Sequence, residues 1–188
     1  MPIIAYLGKD ITEYIENRKK NLDELHFYCP KHGNELTRHG EYDRKIKDFE
    51  ITISIQRLKC SHKNCNYTQA ILPDFLQPNK HYSAYEITCV LADAENSTTP
   101  LGIDSIASIS TVRRWISEYW PILDEKISRL KAFVYQFTNK VVNEIALSSD
   151  KPMTAIHKLL TGFGLPTINR TNTLGAAFIY KNALSAPT

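Results

Sequence analysis

The chain has 188 residues, of which 43% are hydrophobic and 23% charged, and its formal net charge at pH 7 is +3. This is the composition of a globular protein with enough apolar residues for one modest domain or two small ones. No stretch approaches the ~18 consecutive apolar residues of a membrane span. Because no basic-then-apolar signal pattern follows the first methionine, we expect a cytoplasmic protein that contacts no membrane. The mild positive charge is compatible with nucleic-acid binding but does not establish it.

The first 25 residues are predicted to form a short strand and a helix. The strand is "PIIAYL", and the helix carries apolar residues at roughly helical spacing in "DITEYIENRKKNLDEL". Asp10 is the expected N-cap, and Glu13 follows it at the spacing of a capping box.

Residues 26–80 have the pattern of β-structure. The segment "FEITISIQRLKC" alternates apolar with polar residues, which is typical of a half-buried strand. Two shorter strands are predicted in "HFYCP" and "NYTQAILP". Pro73 and Pro78 interrupt regular structure, so "DFLQPNKHY" is interpreted as a linker.

From Ser83 onward the pattern is helical. Ser83 is the expected N-cap of "SAYEITCVLADAEN", and a second helix is predicted in "ISTVRRWISEYW". An apolar stripe then predicts a long amphipathic helix from Ile122, and "KPMTAIHKLLTGFG" is predicted as a last helix. These segments give predicted domains at 1–80, 81–145 and 146–188.

Two turn-like segments carry residues that bind metals. One is Cys29-Pro-Lys-His32-Gly33, and the other runs from Cys60 to Cys65 with the sequence "CSHKNC". Structural zinc takes four nitrogen or sulfur ligands in a tetrahedron, and two short turns beside strands can each supply a pair. We therefore predict a structural Zn²⁺ bound by Cys29, His32, Cys60 and Cys65. Gly33 and Asn66 are expected to adopt the left-handed conformation that ends each turn.

The ligand set has alternatives. His62 has the same spacing to Cys65 that Cys29 has to His32, so His62 could replace Cys60. Cys60 is preferred because it ends a strand, as such ligands commonly do. The thiols could also be free or buried without a metal. The fourth cysteine, Cys89, lies in a predicted helix and is interpreted as a small core residue.

The segments around these ligands resemble a known family. "CPKHGNELTRHGEYDRK", with the later "RLKC", "LPDFLQP" and "YS", resembles the N-terminal zinc ribbons of bacterial insertion-sequence transposases and of an uncharacterised bacterial zinc-ribbon family. The chain departs from that pattern where His32 stands in place of a second cysteine, and its second turn is longer than the common form. The resemblance covers residues 26–118. It implies DNA binding by a ribbon that is followed by a helix-turn-helix.

A candidate helix-turn-helix is found in "LGIDSIASISTVRRWISEYW". Ile103 and Ile106 are expected core residues of its first helix, and the second helix would offer its N-terminal residues to base edges. The residues predicted to face DNA are Ser110, Thr111, Arg113, Arg114 and Ser117. An ordinary helical hairpin with two surface arginines is the alternative. Arg44 and Lys45, beside the ribbon, are further candidate phosphate contacts, although acidic neighbours weaken that prediction.

The expected fold class is therefore α+β, with a small N-terminal zinc-ribbon β domain followed by an all-α helix-turn-helix region. The expected function is that of a zinc-containing protein that binds double-stranded DNA, as an accessory or regulatory factor related to transposases. No Walker loop, nucleophile elbow or H-E-x-x-H motif is present, so no enzyme is predicted. The alternative is a zinc-ribbon module for protein–protein interaction, with homo-oligomers formed through the helix from Ile122.

Overall fold

In the computed structural model the described residues are 3–5, 7–8, 10–97, 99–125, 127–128, 151 and 153–154. Contacts divide the chain after Tyr82 into two compact units, which are taken in turn. The long helix predicted from Ile122 and the last predicted helix fall almost wholly outside the described residues. Within those residues, no helix is both long and apolar enough to cross a membrane.

The first unit is a four-stranded sheet with one helix. Its elements in chain order are β1 (Ile3–Ala5), α1 (Ile11–Asp23), β2 (Leu36–Ile46), β3 (Ile51–Cys60) and β4 (Thr68–Pro73). The strand order is β1-β4-β3-β2. The β2–β3 and β3–β4 pairs are antiparallel, whereas β1 runs parallel to β4 with Ile3 opposite Ile71.

The predicted fold class is wrong in two respects. The first unit is not a small separate ribbon, because β1 joins the same sheet through its parallel pairing with β4. The second unit has less helix than expected, and no helix forms at residues 103–108, where the first helix of the helix-turn-helix was predicted. In that segment the Ser105 hydroxyl accepts a hydrogen bond from the Ala107 backbone N–H at 3.0 Å and donates one to Glu86 at 2.6 Å. Such local side-chain bonds compete with helix formation.

Strand β2 is absent from the sequence prediction. Most of its eleven residues are exposed, and apolar and polar residues do not alternate along its sequence. The register also shifts between Arg38 and Glu41, and Gly40 lies there with a φ of +73°. The predicted strand "HFYCP" is reduced to one bridge between Tyr28 and Glu35. Strands β3 and β4 lie where they were predicted.

Helix α1 is fixed to the sheet by its buried face and by polar contacts. Asp10 caps it by accepting from the Glu13 N–H at 2.9 Å, as predicted. Tyr14 is buried, and its ring meets the edge of Phe75 at a centroid distance of 5.7 Å. The Tyr14 hydroxyl donates to the Ser54 carbonyl at 2.8 Å. This helix therefore packs directly on β3 and on the segment after β4.

The segment predicted as a linker is part of the fold. Residues 74–77 are buried, and Phe75 and Leu76 belong to the core. The Arg44 guanidinium, on β2, is 8% exposed and donates to the carbonyls of Gln77 and Lys80. These two bonds hold the segment after β4 against β2.

The second unit contains α2 (Ala84–Ala94) and α3 (Ile109–Tyr119). Ser83 caps α2 by accepting from the Glu86 N–H at 3.1 Å, which confirms the predicted cap. Ser108 caps α3 in the same way through Thr111. Because buried residues lie on one side of each helix, the opposite sides face solvent.

We expect Arg44→Met to lower the free energy of unfolding by about 1–3 kcal/mol, because the carbonyls of Gln77 and Lys80 lose a charged donor at a buried and a partly buried position. The neighbouring Lys45 is exposed, so Lys45→Met should change it by less than about 0.5 kcal/mol. Chemical denaturation followed by circular dichroism measures both. Equal effects of the two substitutions would show that the Arg44 bonds do not hold the segment.

Candidate metal centre

The first ligand loop lies between Tyr28 and Glu35, which form an isolated bridge. The Cys29 N–H donates to the Asn34 carbonyl and the Gly33 N–H donates to the Cys29 carbonyl, both at 2.8 Å. Gly33 has a φ of +68°, the left-handed conformation that was predicted. The bonds close the loop on itself and turn the side chains of Cys29 and His32 to the same side.

The second ligand loop joins β3 to β4. Cys60 is the last residue of β3, and its N–H donates to the Tyr67 carbonyl at 3.0 Å. The Cys65 N–H donates to the His62 carbonyl at the same distance. Asn66 is not left-handed: among the described non-glycine residues only Glu50 and Asn79 have positive φ, so that prediction is wrong.

The two loops bring four ligand atoms together. One ligand atom each from Cys29, His32, Cys60 and Cys65 lies within 4.8 Å of all the others. The Cys29 Sγ is 3.8 Å from the Cys65 Sγ and 3.8 Å from the His32 Nδ1. Two sulfurs bound to one zinc at about 2.3 Å in a tetrahedron are about 3.8 Å apart. The spacing is therefore compatible with one metal ion between the ligands.

The three sulfurs lie in the hydrophobic core, and His32 lies at its surface. Cys29, Cys60 and Cys65 are 2–4% exposed and belong to the same cluster of buried residues as the sheet core. His32 is exposed. A buried thiolate is costly unless a cation or hydrogen bonds compensate it. A cation at the centre of this cluster would provide that compensation.

The electrostatics of the sulfurs differ. Burial opposes ionisation of Cys29, but hydrogen bonds from the His32 ring and from the backbone amides of Lys31 and His32 outweigh it and lower its pKa to about 6. A bond from the His62 backbone amide lowers the pKa of Cys60, but burial and the sulfurs of Cys29 and Cys65 raise it above its ordinary value. Cys29 therefore has a lower pKa than Cys60.

The geometry favours Cys60 over His62 as a ligand. Cys60 belongs to the four-residue cluster and His62 does not. The His62 ring instead stacks on the His32 ring, with centroids 4.3 Å apart and planes 5° apart. Cys89 is half-buried in α2 and is not among the clustered residues. All four cysteines have free thiols.

The residues predicted to bind DNA lie in both units. On α3, Arg113, Arg114, Ser110 and Ser117 are exposed and Thr111 is half-buried. On the same helix Val112 and Trp115 are buried, and Ile116 is half-buried. Ile106, which was expected in the core of the absent first helix, is 64% exposed.

Arg44 is buried, whereas its neighbour Lys45 is exposed to solvent. The prediction that Arg44 contacts phosphate is wrong, because its guanidinium is buried and occupied by the Gln77 and Lys80 carbonyls. Lys45 is exposed on β2. The two side chains alternate across the strand, which the sequence pattern did not indicate because β2 itself was not predicted.

The stacking of His62 on His32 was not predicted from the sequence. The "CSHKNC" segment is longer than a common zinc turn. This extra length is the sequence signal that could have indicated a contact between the two loops. The additional residues bring a ring from the second loop against the first loop.

Comparison with known proteins gives one family match. Residues 29–115 match the family described as "Domain of unknown function (DUF6431)". The matched region begins at the first clustered cysteine, contains all four clustered residues and ends at Trp115 in α3. No curated protein and no solved structure shows a significant match. The resemblance to transposase ribbons stays a prediction.

We expect Gly33→Ala to lower the free energy of unfolding by about 1–2 kcal/mol, because an L-residue resists the left-handed conformation. An added Cβ meets no atom within 4 Å, so the cost is in the backbone alone. Gly33→Asn should cost less, since Asn tolerates this conformation. Chemical denaturation tests both, and an alanine variant as stable as the asparagine variant would contradict the assignment.

Proposed function

We propose that the protein is a zinc-containing DNA-binding protein in which the metal has a structural role. The observation that carries the proposal is the cluster of Cys29, His32, Cys60 and Cys65, whose ligand atoms lie within 4.8 Å of one another. Three sulfurs and one imidazole form a donor set that suits Zn²⁺, and hard cations such as Mg²⁺ prefer oxygen.

The proposed role of the ion is to stabilise the first unit. Four protein ligands fill a tetrahedral shell, so no position is left for a water molecule or a substrate. The ligands come from two loops at the ends of the sheet strands and three of them lie in the core. Binding of the ion is then coupled to folding of this unit.

The proposed DNA-contacting element is the exposed side of α3. Arg113, Arg114, Ser110 and Ser117 are exposed there. Between Asp104 and Glu118 the sequence contains two arginines and no acidic residue. Arginine binds guanine or phosphate through paired N–H donors, and the partial positive charge at a helix N-terminus favours an anion. Lys45, exposed on β2, is a further candidate phosphate contact.

The proposed biological role is that of an accessory or regulatory factor related to transposases. It rests on the resemblance of the region around the ligands to transposase zinc ribbons. Its sequence has no Walker loop, nucleophile elbow or H-E-x-x-H motif, and we propose recognition without catalysis, in the cytoplasm.

A second candidate is a zinc-dependent protein-interaction module. It is favoured by large apolar side chains at the surface of the second unit, since Leu101 is 71%, Ile106 64% and Ile109 44% exposed. These three residues lie within nine positions in the sequence, and a contiguous apolar patch formed by them would be typical of a contact surface. Homo-oligomers through the helix from Ile122 remain a prediction, because most of that helix falls outside the part of the chain that the structure describes.

Metal analysis should find about one zinc per chain in the purified protein. Cys60→Ser should reduce the zinc content strongly, whereas Cys89→Ser, which changes the cysteine outside the cluster, should leave it unchanged. A strong chelator should unfold the first unit, as seen by circular dichroism. A metal-free protein that is fully folded, or equal zinc loss in the two variants, would refute the proposed site.

The double variant Arg113→Gln/Arg114→Gln should weaken binding to a labelled mixed-sequence duplex, measured by fluorescence anisotropy. Each lost phosphate contact reduces the salt dependence of log K by about 0.9, so the slope should fall by about 2. Lys19→Gln/Lys20→Gln removes the same charge from the exposed side of α1 and is the control. If both double variants bind as the wild type does, α3 is not the DNA contact. If the wild type does not bind DNA but self-associates in light scattering, the second candidate is favoured.

A further inference from the structure

We propose that His62 is a positioning residue for the metal centre: it holds the imidazole of His32 in the orientation that directs a ring nitrogen at the three sulfurs. The inference rests on the proposed zinc site and deepens it. It assigns a function to the histidine that lies outside the cluster of four ligand residues.

The stacked geometry is the first support. The two rings are 4.3 Å apart between centroids and only 5° from parallel. At the same time, the His32 Nδ1 lies 3.8 Å from the Cys29 Sγ. One edge of the His32 ring therefore faces the sulfurs while one of its faces is covered by His62.

The second support is that the longer loop holds His62 in place. The Cys65 N–H donates to the His62 carbonyl at 3.0 Å, which fixes the backbone next to a ligand. The Asn64 backbone N–H donates to the His62 Nδ1 at 3.4 Å, which fixes the ring. With Nδ1 as an acceptor, the neutral ring carries its proton on Nε2.

The third support is the contrast between His32 and the other ligands. Cys29, Cys60 and Cys65 are buried, and their backbone amides are hydrogen-bonded to the loops. His32 is exposed, so packing restrains its ring least among the four. An unrestrained side chain loses conformational entropy on binding a metal, and a partner that orients the ring beforehand reduces that loss.

The stack should also strengthen when the metal binds. An imidazole that coordinates a cation loses electron density, and the face of a neutral aromatic ring attracts such an electron-poor group. By linkage, a contact that is stronger in the bound state increases affinity for the metal. Because both rings are exposed, the expected effect is modest, roughly two- to tenfold in the dissociation constant.

The test is a titration of the full chain with Zn²⁺ in competition with a chromophoric chelator. His62→Ala should raise the dissociation constant for zinc by roughly two- to tenfold. His62→Phe keeps a stacking ring and should restore the affinity to near that of the wild type. His62→Asn keeps an acceptor for the Asn64 N–H but has no ring, so it should behave like the alanine variant. His81→Ala, which removes an exposed histidine elsewhere in the unit, is the control.

NMR of the zinc-loaded protein gives a second readout, since the ring resonances of His32 should lose the ring-current shift from His62 in the Ala and Asn variants. Wild-type affinity in all variants would overturn the inference and leave the zinc site intact. Rescue by Asn instead of Phe would also overturn it, because the loop hydrogen bond would then be responsible. If the wild type binds no zinc, the proposed function itself fails.

Discussion

The first unit depends on the convergence of two loops, about thirty residues apart in sequence, at three buried sulfurs. These sulfurs are continuous with the hydrophobic core, so the same side chains serve packing and ligation. Three thiols are buried beside one exposed imidazole, and ionising more than one of these neighbouring sulfurs is unfavourable without a compensating positive charge. A single cation between the ligand atoms would supply that charge. The loops that carry these sulfurs precede β2 and join β3 to β4.

In the rest of the unit, a helix and a loop segment pack against the sheet and extend its core. On one side α1 covers β3 through Tyr14, and its Arg18 bonds Glu41 at 2.6 Å and the Ser54 carbonyl at 2.5 Å. On another, Arg44 fixes the segment after β4 through backbone carbonyls. In both cases a cationic side chain donates hydrogen bonds to backbone carbonyls. The core thus extends beyond the strands that bear the ligands.

The sequence predicted best where the signal is local. The helix caps at Asp10 and Ser83, the alternating strand β3 and each of the two ligand pairs depend on residues a few positions apart. Strand β2 was missed because it is exposed on most of its length and carries no alternation. The pairing of β1 with β4, and the burial of Arg44, depend on contacts between distant residues, for which one sequence holds no periodic signal. The first helix of the expected helix-turn-helix does not form. The Ser105 hydroxyl makes hydrogen bonds there that compete with a helix, and the spacing of apolar residues gives no sign of such bonds.

The parallel pairing of β1 and β4 has a consequence for the order of assembly. The strands β2 and β3 are adjacent in the sequence and can pair as a hairpin as soon as both are made. Ile3 pairs with Ile71, which is synthesised much later. Closing so long a loop costs more chain entropy than closing the hairpin, and contacts between distant segments form slowly. During synthesis β1 therefore leaves the ribosome before its partner β4 exists. The pairing of β1 with β4 can form only after β2 and β3, which lie between them in the sequence, have been synthesised.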